Sequence, residues 1–273
     1  MTAHSVDRRL RAVLDDLPRR VVACSGGVDS LLLAHRAHAH APDATVVAHA
    51  VTPAVPPRAT ARVAAAATTH GWDLRLVTSG EFDDERYVSN PADRCYFCKT
   101  NLYEVLDDVA AVAGGATVLS GANLDDLGEY RPGLRAAAEH DVRHPWVEAD
   151  VTKADLRALA AALGLPWADL PAAPCLASRL YTGTTVTPRR LRAVDVGEEL
   201  VRARTGIAVV RCRLDEDTVR VEVRDADRHL ITADLLDDLA GHMRAIEPTI
   251  DRVLLDEDAY APGRSFLTEL PVA

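Results

Sequence analysis

Residues 25–30 read SGGVDS, between RRVVAC, a short β-branched run, and LLLAHRAHAH, a leucine- and alanine-rich run of helical character. No other stretch constrains the fold as tightly. A strand must hand over to a helix within six residues, and the adjacent glycines Gly26 and Gly27 supply backbone conformations that other residues resist. Glycines here also let main-chain N–H groups approach an anion, and the following helix adds its positive end. Ser25 and Ser30 bring hydroxyl donors, and Asp29 brings an oxygen ligand of the kind magnesium takes. The hexapeptide reads as a phosphate cradle. It is not a Walker A loop, because GxxxxGK[ST] is absent.

The cradle opens an alternating pattern. ATVVAHAV, DLRLVTSG and ATVLSGAN read as further strands, and PRATARVAAAATTHG, NPADRCYFCKTNLYEVLDDVAAVAG and TKADLRALAAALG as helices. Asn90 reads as an N-cap with Pro91 at the first helical position, and Thr152 opens the last of these helices. Such alternation predicts an α/β fold, a parallel sheet with helices on both faces. Ligands then bind beyond the carboxyl ends of the strands, where SGGVDS, TPAVP and SGANLDD all fall. After the proline-rich WADLPAAPCLASRL the pattern changes to helix, two strands joined by the acidic DEDT, helix and strand. Two domains are expected: residues 1–185, carrying the cradle, and residues 186–273, a small α-β-β-α-β unit.

With 31 Lys+Arg against 41 Asp+Glu the formal net charge is -10, which disfavours binding to a nucleic-acid backbone. No stretch reaches the ~20 apolar residues of a membrane span. The N-terminal MTAHSVDRRLRAVLDDL carries charge throughout, so the expectation is a cytoplasmic protein acting on a small molecule. Five cysteines in 273 residues point to metal or redox chemistry, not to a secreted disulfide framework. Cys95 and Cys98 form C-x-x-C and share a helix face. Cys175 lies far off, in the loop PAAPCLASR. Cys24 ends the first strand as a small hydrophobe, and Cys212 faces away from Arg211 and Arg213 on its strand. The C-x-x-C alone fits packed thiols, or a zinc site completed by a histidine such as His70, His140 or His144.

SGGVDS resembles the PP-loop of the ATP pyrophosphatases, which split ATP between its α and β phosphates, adenylate a substrate and release pyrophosphate. Taken with HAVTPAVP, NPADRCYFCKTNLYEVL, LSGANLDDLGEYRPG and PCLASR, the chain resembles the LarE family. These are PP-loop sulfur transferases that help build the nickel-pincer cofactor of lactate racemase. The resemblance implies that ATP adenylates a carboxylate of pyridinium-3,5-biscarboxylic acid mononucleotide, and that sulfur then displaces AMP to leave a thiocarboxylate. In one LarE type a single cysteine, matched here by Cys175, gives up its own sulfur and becomes dehydroalanine. Cys95 and Cys98 beside Cys175 resemble the second type, in which three cysteines carry a 4Fe–4S cluster that passes on an extra sulfide.

The resemblance also implies nucleotide contacts from Gly121, Asn123 and Asp125. The alternative for the acids of this segment is a helix cap. Arg211 and Arg213 share a strand face, and paired guanidiniums suit the substrate's phosphate. They equally suit cross-strand pairing with Glu222. Glu199 is read as assisting magnesium or as an exposed helix glutamate. Arg179 is read as lowering the Cys175 thiol pKa, as gripping an acyl-adenylate, or as pairing with an acid. The family implies a homo-oligomer. Two rivals remain at this point. One is another PP-loop enzyme, a tRNA thiolase or an amide-forming synthetase. The other is a non-catalytic nucleotide-binding module with structural zinc.

Overall fold

Four short strands, β1 (Arg20–Ala23), β2 (Thr45–Ala50), β3 (Asp73–Val77) and β4 (Thr117–Ser120), pair in parallel in the order β3-β2-β1-β4. The computed structural model describes residues 1–128, 132–172, 174–261 and 264. Register places Val21 beside Val46 and Val118, and Val22 beside Val47 and Leu119. Side chains alternate along a strand, so the two sets face opposite ways. Val22, Val47 and Leu119 pack with α1 (Ala3–Asp15), α2 (Val28–His40), α3 (Pro57–His70), α7 (Pro145–Glu148) and α8 (Lys153–Ala162). Val21, Ala48 and Val118 pack with α5 (Arg94–Val112) and α6 (Pro132–Glu139). This is the expected parallel sheet with helices on both faces. Leu31, Leu32 and Leu33 of α2 are all fully buried, because α2 lies between the sheet and helices α1 and α8. A helix covered on several sides is apolar nearly all round.

The chain divides into two units, Met1–Glu81 with Cys95–Ala173, and Phe82–Arg94 with Pro174–Ala273. The sequence places one boundary near residue 185; the division instead falls before Pro174, and an earlier segment joins the second unit. Hydrogen bonds give the reason. Val186 N donates to the Val88 carbonyl at 2.8 Å, and Gly183 N to the Asn90 carbonyl at 2.9 Å. Asn90 does not cap α5, which begins only at Arg94. Its φ is 57°, its side chain is buried, and Nδ2 donates to the carbonyls of Tyr181 at 2.7 Å and Thr184 at 2.8 Å. Thr152 does cap α8, in a reciprocal box with Asp155.

The second unit contains α4 (Glu85–Val88), α9 (Pro188–Thr205), α10 (Ala233–Ile246) and a three-stranded sheet in the order β5-β6-β7. Strands β5 (Val210–Asp215) and β6 (Thr218–Val223) are antiparallel, and β7 (Arg252–Leu255) runs parallel to β6. Helix α9 packs on β5 and on α10. Among the described residues no helix is long and apolar enough to cross a membrane.

Candidate functional site

The cradle lies between the end of β1 and α2, whose N-cap is Gly27. Gly26 has φ 81°, and a Cβ there would lie 3.0 Å from the Ala59 carbonyl and 3.3 Å from Val63 Cγ2. Only glycine fits, because the conformation and the space both exclude a side chain. The loop is tied from within: Ser30 Oγ donates to the Gly27 carbonyl at 3.1 Å and accepts from Ser25 N at 3.1 Å. Ser30 therefore shapes the loop, while Ser25 Oγ lies 3.1 Å from it. The loop is also held by the neighbouring elements. Arg62 Nη1 on α3 donates to the Gly26 carbonyl at 2.6 Å. His49 on β2 places Nδ1 2.7 Å from the Cys24 carbonyl and Nε2 2.9 Å from Thr60 Oγ1. A carbonyl only accepts, so Nδ1 carries the proton. Burial lowers the His49 pKa and keeps the ring neutral.

The adjacent strand end closes one side. A Cβ on Gly121 would lie 2.9 Å from Ser30 N and 3.1 Å from the Asp29 carbonyl carbon. Gly121 thus lets the β4 loop touch the α2 backbone, and its contact is structural. Buried Asn123 accepts from Asp125 N at 3.1 Å and donates to Asp126 Oδ2 at 3.1 Å. Asp125 Oδ2 accepts from Lys153 N at 3.0 Å. The three residues fold the SGANLDD turn and dock it on the start of α8.

That docking delivers a residue the sequence reading passed over. Lys153 Nζ forms an ion pair with Asp29 Oδ2. Burial raises the Asp29 pKa and the Lys153 hydrogen bond partly offsets it. The second oxygen, Asp29 Oδ1, is buried without a hydrogen-bond partner among the described residues. The signal available in the sequence was Lys153 directly after the Thr152 cap, at a helix start. Its partner lies 124 residues away.

In the second unit, Cys175 is half-buried and caps the 3-10 turn Leu176–Arg179. Arg179 is fully buried. Its Nη1 donates to the carbonyls of Pro174 at 2.7 Å and Cys175 at 3.0 Å, so it grips the loop backbone. Its Nε and Nη2 bind Glu198 side-on, at 2.8 and 3.1 Å. Of the three readings for Arg179, pairing with an acid is what the geometry shows. Glu198 also accepts from Arg202 at 2.8 Å. Burial alone would raise the Glu198 pKa, but Arg179, with Arg211 and Arg202, holds it below the usual range. The neighbouring Glu199 is exposed and paired with Arg202 at 2.8 Å. Of the two readings for Glu199, the exposed helix glutamate is what the geometry shows; it is the adjacent Glu198 that faces β5, where Cys212 N lies 3.4 Å from Oε1.

Arg211 and Arg213 are both buried. Arg213 Nε donates to Glu222 Oε2 at 2.8 Å, the cross-strand pair foreseen as the alternative. Arg213 also reaches the carbonyls of Ser178 at 3.1 Å and Ala261 at 3.2 Å. The Arg211 guanidinium lies 5.2 Å from the centre of the Tyr260 ring, and burial next to Arg179 lowers its pKa. Around Glu198 there are thus three guanidiniums, those of Arg179, Arg202 and Arg211. Guanidiniums gathered in this way suit an anion.

The five cysteines fall into two kinds, and none is in a disulfide. Cys24 and Cys212 are fully enclosed, and burial pushes the Cys24 thiol up to about 11 and the Cys212 thiol further. Cys95, Cys98 and Cys175 are half-buried. The first two lie in the opening turn of α5, in the first unit, and Cys175 belongs to the second. Arg94, the residue before Cys95, donates to the Ala177 carbonyl at 3.0 Å. Among the described residues no group of three or more His, Cys, Asp and Glu side chains is gathered as a metal would require.

No protein-family model matches the chain. It is 38% identical over 214 residues to an uncharacterized protein of Synechocystis, covering 78% of this chain and 80% of that one. It is 34% identical over 218 residues to the pyridinium-3,5-bisthiocarboxylic acid mononucleotide synthase of Lactiplantibacillus plantarum, covering 80% and 79%. It is 29% identical over 281 residues to the tRNA(Ile)-lysidine synthase of Salinispora arenicola, covering 94% and 81%.

Proposed function

The chain belongs to the LarE family, the PP-loop synthases of pyridinium-3,5-bisthiocarboxylic acid mononucleotide, and from that premise we propose that it activates the carboxylates of the biscarboxylate precursor with ATP and replaces them with thiocarboxylates. A carboxylate is a poor electrophile because oxide would have to leave. Attack on the α phosphate of ATP gives an acyl-adenylate and pyrophosphate, and AMP then becomes the leaving group. A thiolate displaces it near neutral pH. The Ser25–Ser30 cradle takes the pyrophosphate end, and Lys153 brings a cation to Asp29 beside it. Asp29 Oδ1 fits magnesium, being a buried oxygen without a partner. Glu199, exposed and paired with Arg202, does not.

In the second unit Cys175 is the thiol that meets the acyl-adenylate. Arg179 is a positioning residue, holding the two carbonyls at Pro174 and Cys175. Arg211 presents its charge to the substrate's phosphate, and Arg213, paired with Glu222, backs the strand beside it. Cys95, Cys98 and Cys175 are the cysteines that burial has not enclosed, as thiolate ligands must be, although the described residues gather no group of three metal-ligating side chains. They would hold a 4Fe–4S cluster, which when bound supplies a transferable sulfide. Where no cluster is bound, the Cys175 thiolate itself forms the thioester. Loss of its Cα proton and cleavage of the Cβ–S bond then leave the thiocarboxylate on the substrate and dehydroalanine in the chain.

The observation that carries this reading is the split among the thiols, two enclosed and three half-buried. The test is anaerobic purification followed by iron, sulfide and zinc per chain, with Cys95→Ala alongside. Mixing ATP with the biscarboxylate should release pyrophosphate. About four irons per chain, lost in Cys95→Ala, support the cluster. No iron, with Cys175 found as dehydroalanine after turnover, supports the sacrificial route. Zinc alone without pyrophosphate release sinks both. A PP-loop enzyme acting on tRNA is the second reading, favoured by the Salinispora similarity. The net charge of -10 opposes it, and a gel shift with tRNA decides.

A further inference from the structure

Arg62 is one turn into α3 from Arg58, and its guanidinium leans on the loop that the cradle is made of. Nη1 donates to the Gly26 carbonyl at 2.6 Å. A carbonyl inside an anion cradle repels phosphate. A guanidinium on that oxygen cancels the repulsion and sets a fixed positive charge at the rim of the cradle.

Among the described residues no carboxylate pairs with Arg62. By contrast the buried Arg36 donates to Asp7 at 2.6 Å, and the half-buried Arg157 gives two of its nitrogens to the carbonyls of Ala168 and Leu170. Burial lowers the pKa of Arg62, and the neighbouring Arg58 lowers it further. A guanidinium that has lost part of its water and faces a second arginine gains from an arriving anion. The same helix approaches the cradle closely, since a Cβ on Gly26 would lie 3.0 Å from the Ala59 carbonyl and 3.3 Å from Val63 Cγ2.

We propose that Arg62 is a phosphate contact of the ATP site, gripping the β–γ portion of ATP and the pyrophosphate it becomes. The proposal rests on the adenylation reading above. When the carboxylate oxygen attacks the α phosphorus, the bond to the α–β bridging oxygen breaks and its electron pair stays with pyrophosphate. Arg62 meets the charge that builds up there, without donating a proton.

The alternative is that Arg62 only braces the loop. Calorimetric titration of the full chain with ATP, inorganic pyrophosphate and AMP, each with magnesium, separates the two. Arg62→Gln is expected to weaken ATP and pyrophosphate by about tenfold to a hundredfold, and AMP by less than about twofold. Arg62→Lys, which keeps the charge, should recover part of the loss. An AMP loss equal to the ATP loss would reduce Arg62 to a brace and overturn the proposal. Unchanged ATP and pyrophosphate binding would overturn it as well. If Arg62→Gln does not fold, the ratio of ATP to AMP affinity in Arg62→Lys decides, and an unchanged ratio counts against the proposal. A wild-type protein that binds none of the three ligands would bring down the adenylation reading and this one together. Normal wild-type binding with an indifferent variant brings down only the role of Arg62.

Discussion

The two units handle charge in opposite ways. In the first, the functional loop is built so that its carbonyls are occupied: Cys24 by His49, Gly26 by Arg62 and Gly27 by Ser30. Ser30 Oγ also takes up Ser25 N, so an anion would meet the N–H groups further along the turn. In the second, whole ions are buried against each other, with Arg179 on Glu198 and Arg213 on Glu222, all four almost completely enclosed. The first arrangement uses backbone dipoles and depends on conformation. The second uses formal charges and depends on completeness, since a buried ion without its partner is costly.

Substitutions can break this contrast. The largest effect is expected from Glu198→Ala, which strands Arg179 in the interior and should cost about 3–5 kcal/mol. Denaturant unfolding measures it, and a loss under 1 kcal/mol would mean that water reaches the pair. Gly26→Ala should cost about 2–4 kcal/mol, because it meets both an unfavourable φ and a backbone oxygen. Pyrophosphate release should fall with it. A folded, fully active Gly26→Ala would show that the loop has slack.

Acid sharpens the comparison. Burial, then His70, pulls His35 in the first unit from 6.5 down to about 4. Burial lowers His49 and His144 in the same direction. The unfolded chain therefore takes up protons that the folded one refuses, so stability is complete above pH 6.5 and is lost as pH falls toward 4. Glu198 sits below its ordinary 4.5, so its contribution is lost only under pH 4.5 and beyond. All three tryptophans, Trp72, Trp146 and Trp167, belong to the first unit. Their emission should shift before Cys212 becomes open to alkylation. Simultaneous change of both probes would contradict this order. The smallest effect belongs to Glu199→Ala, within about 0.5 kcal/mol, because its pair with Arg202 is at the surface. Thermal melts of Glu198→Ala and Glu199→Ala side by side make the comparison direct.

The same contrast explains what could be read from the chain alone. SGGVDS declared itself because strand, glycine turn and helix are contiguous, and the alternation that follows is a local pattern too. Lys153 did not, because its meeting with Asp29 depends on the SGANLDD turn docking on α8. Asn90 before Pro91 resembles a helix start, yet its left-handed φ and its bonds to Tyr181 and Thr184 come from a segment some ninety residues on. Glu198 and Glu199 differ by one helix step, and only the packing of α9 on β5 says which is inside. Arg213 with Glu222 was open to either reading, since a strand pattern gives the face and not what covers it.

The His49 imidazole has a use apart from bracing the loop. Its Nδ1–H is sealed from solvent and lies 2.7 Å from the Cys24 carbonyl. A proton so placed exchanges slowly with water and resonates downfield of the crowded amide region. One line in a proton NMR spectrum then reports on the carbonyl at the root of the cradle. It should move when an anion draws on the backbone a few atoms away, giving an occupancy signal that needs no label and no turnover.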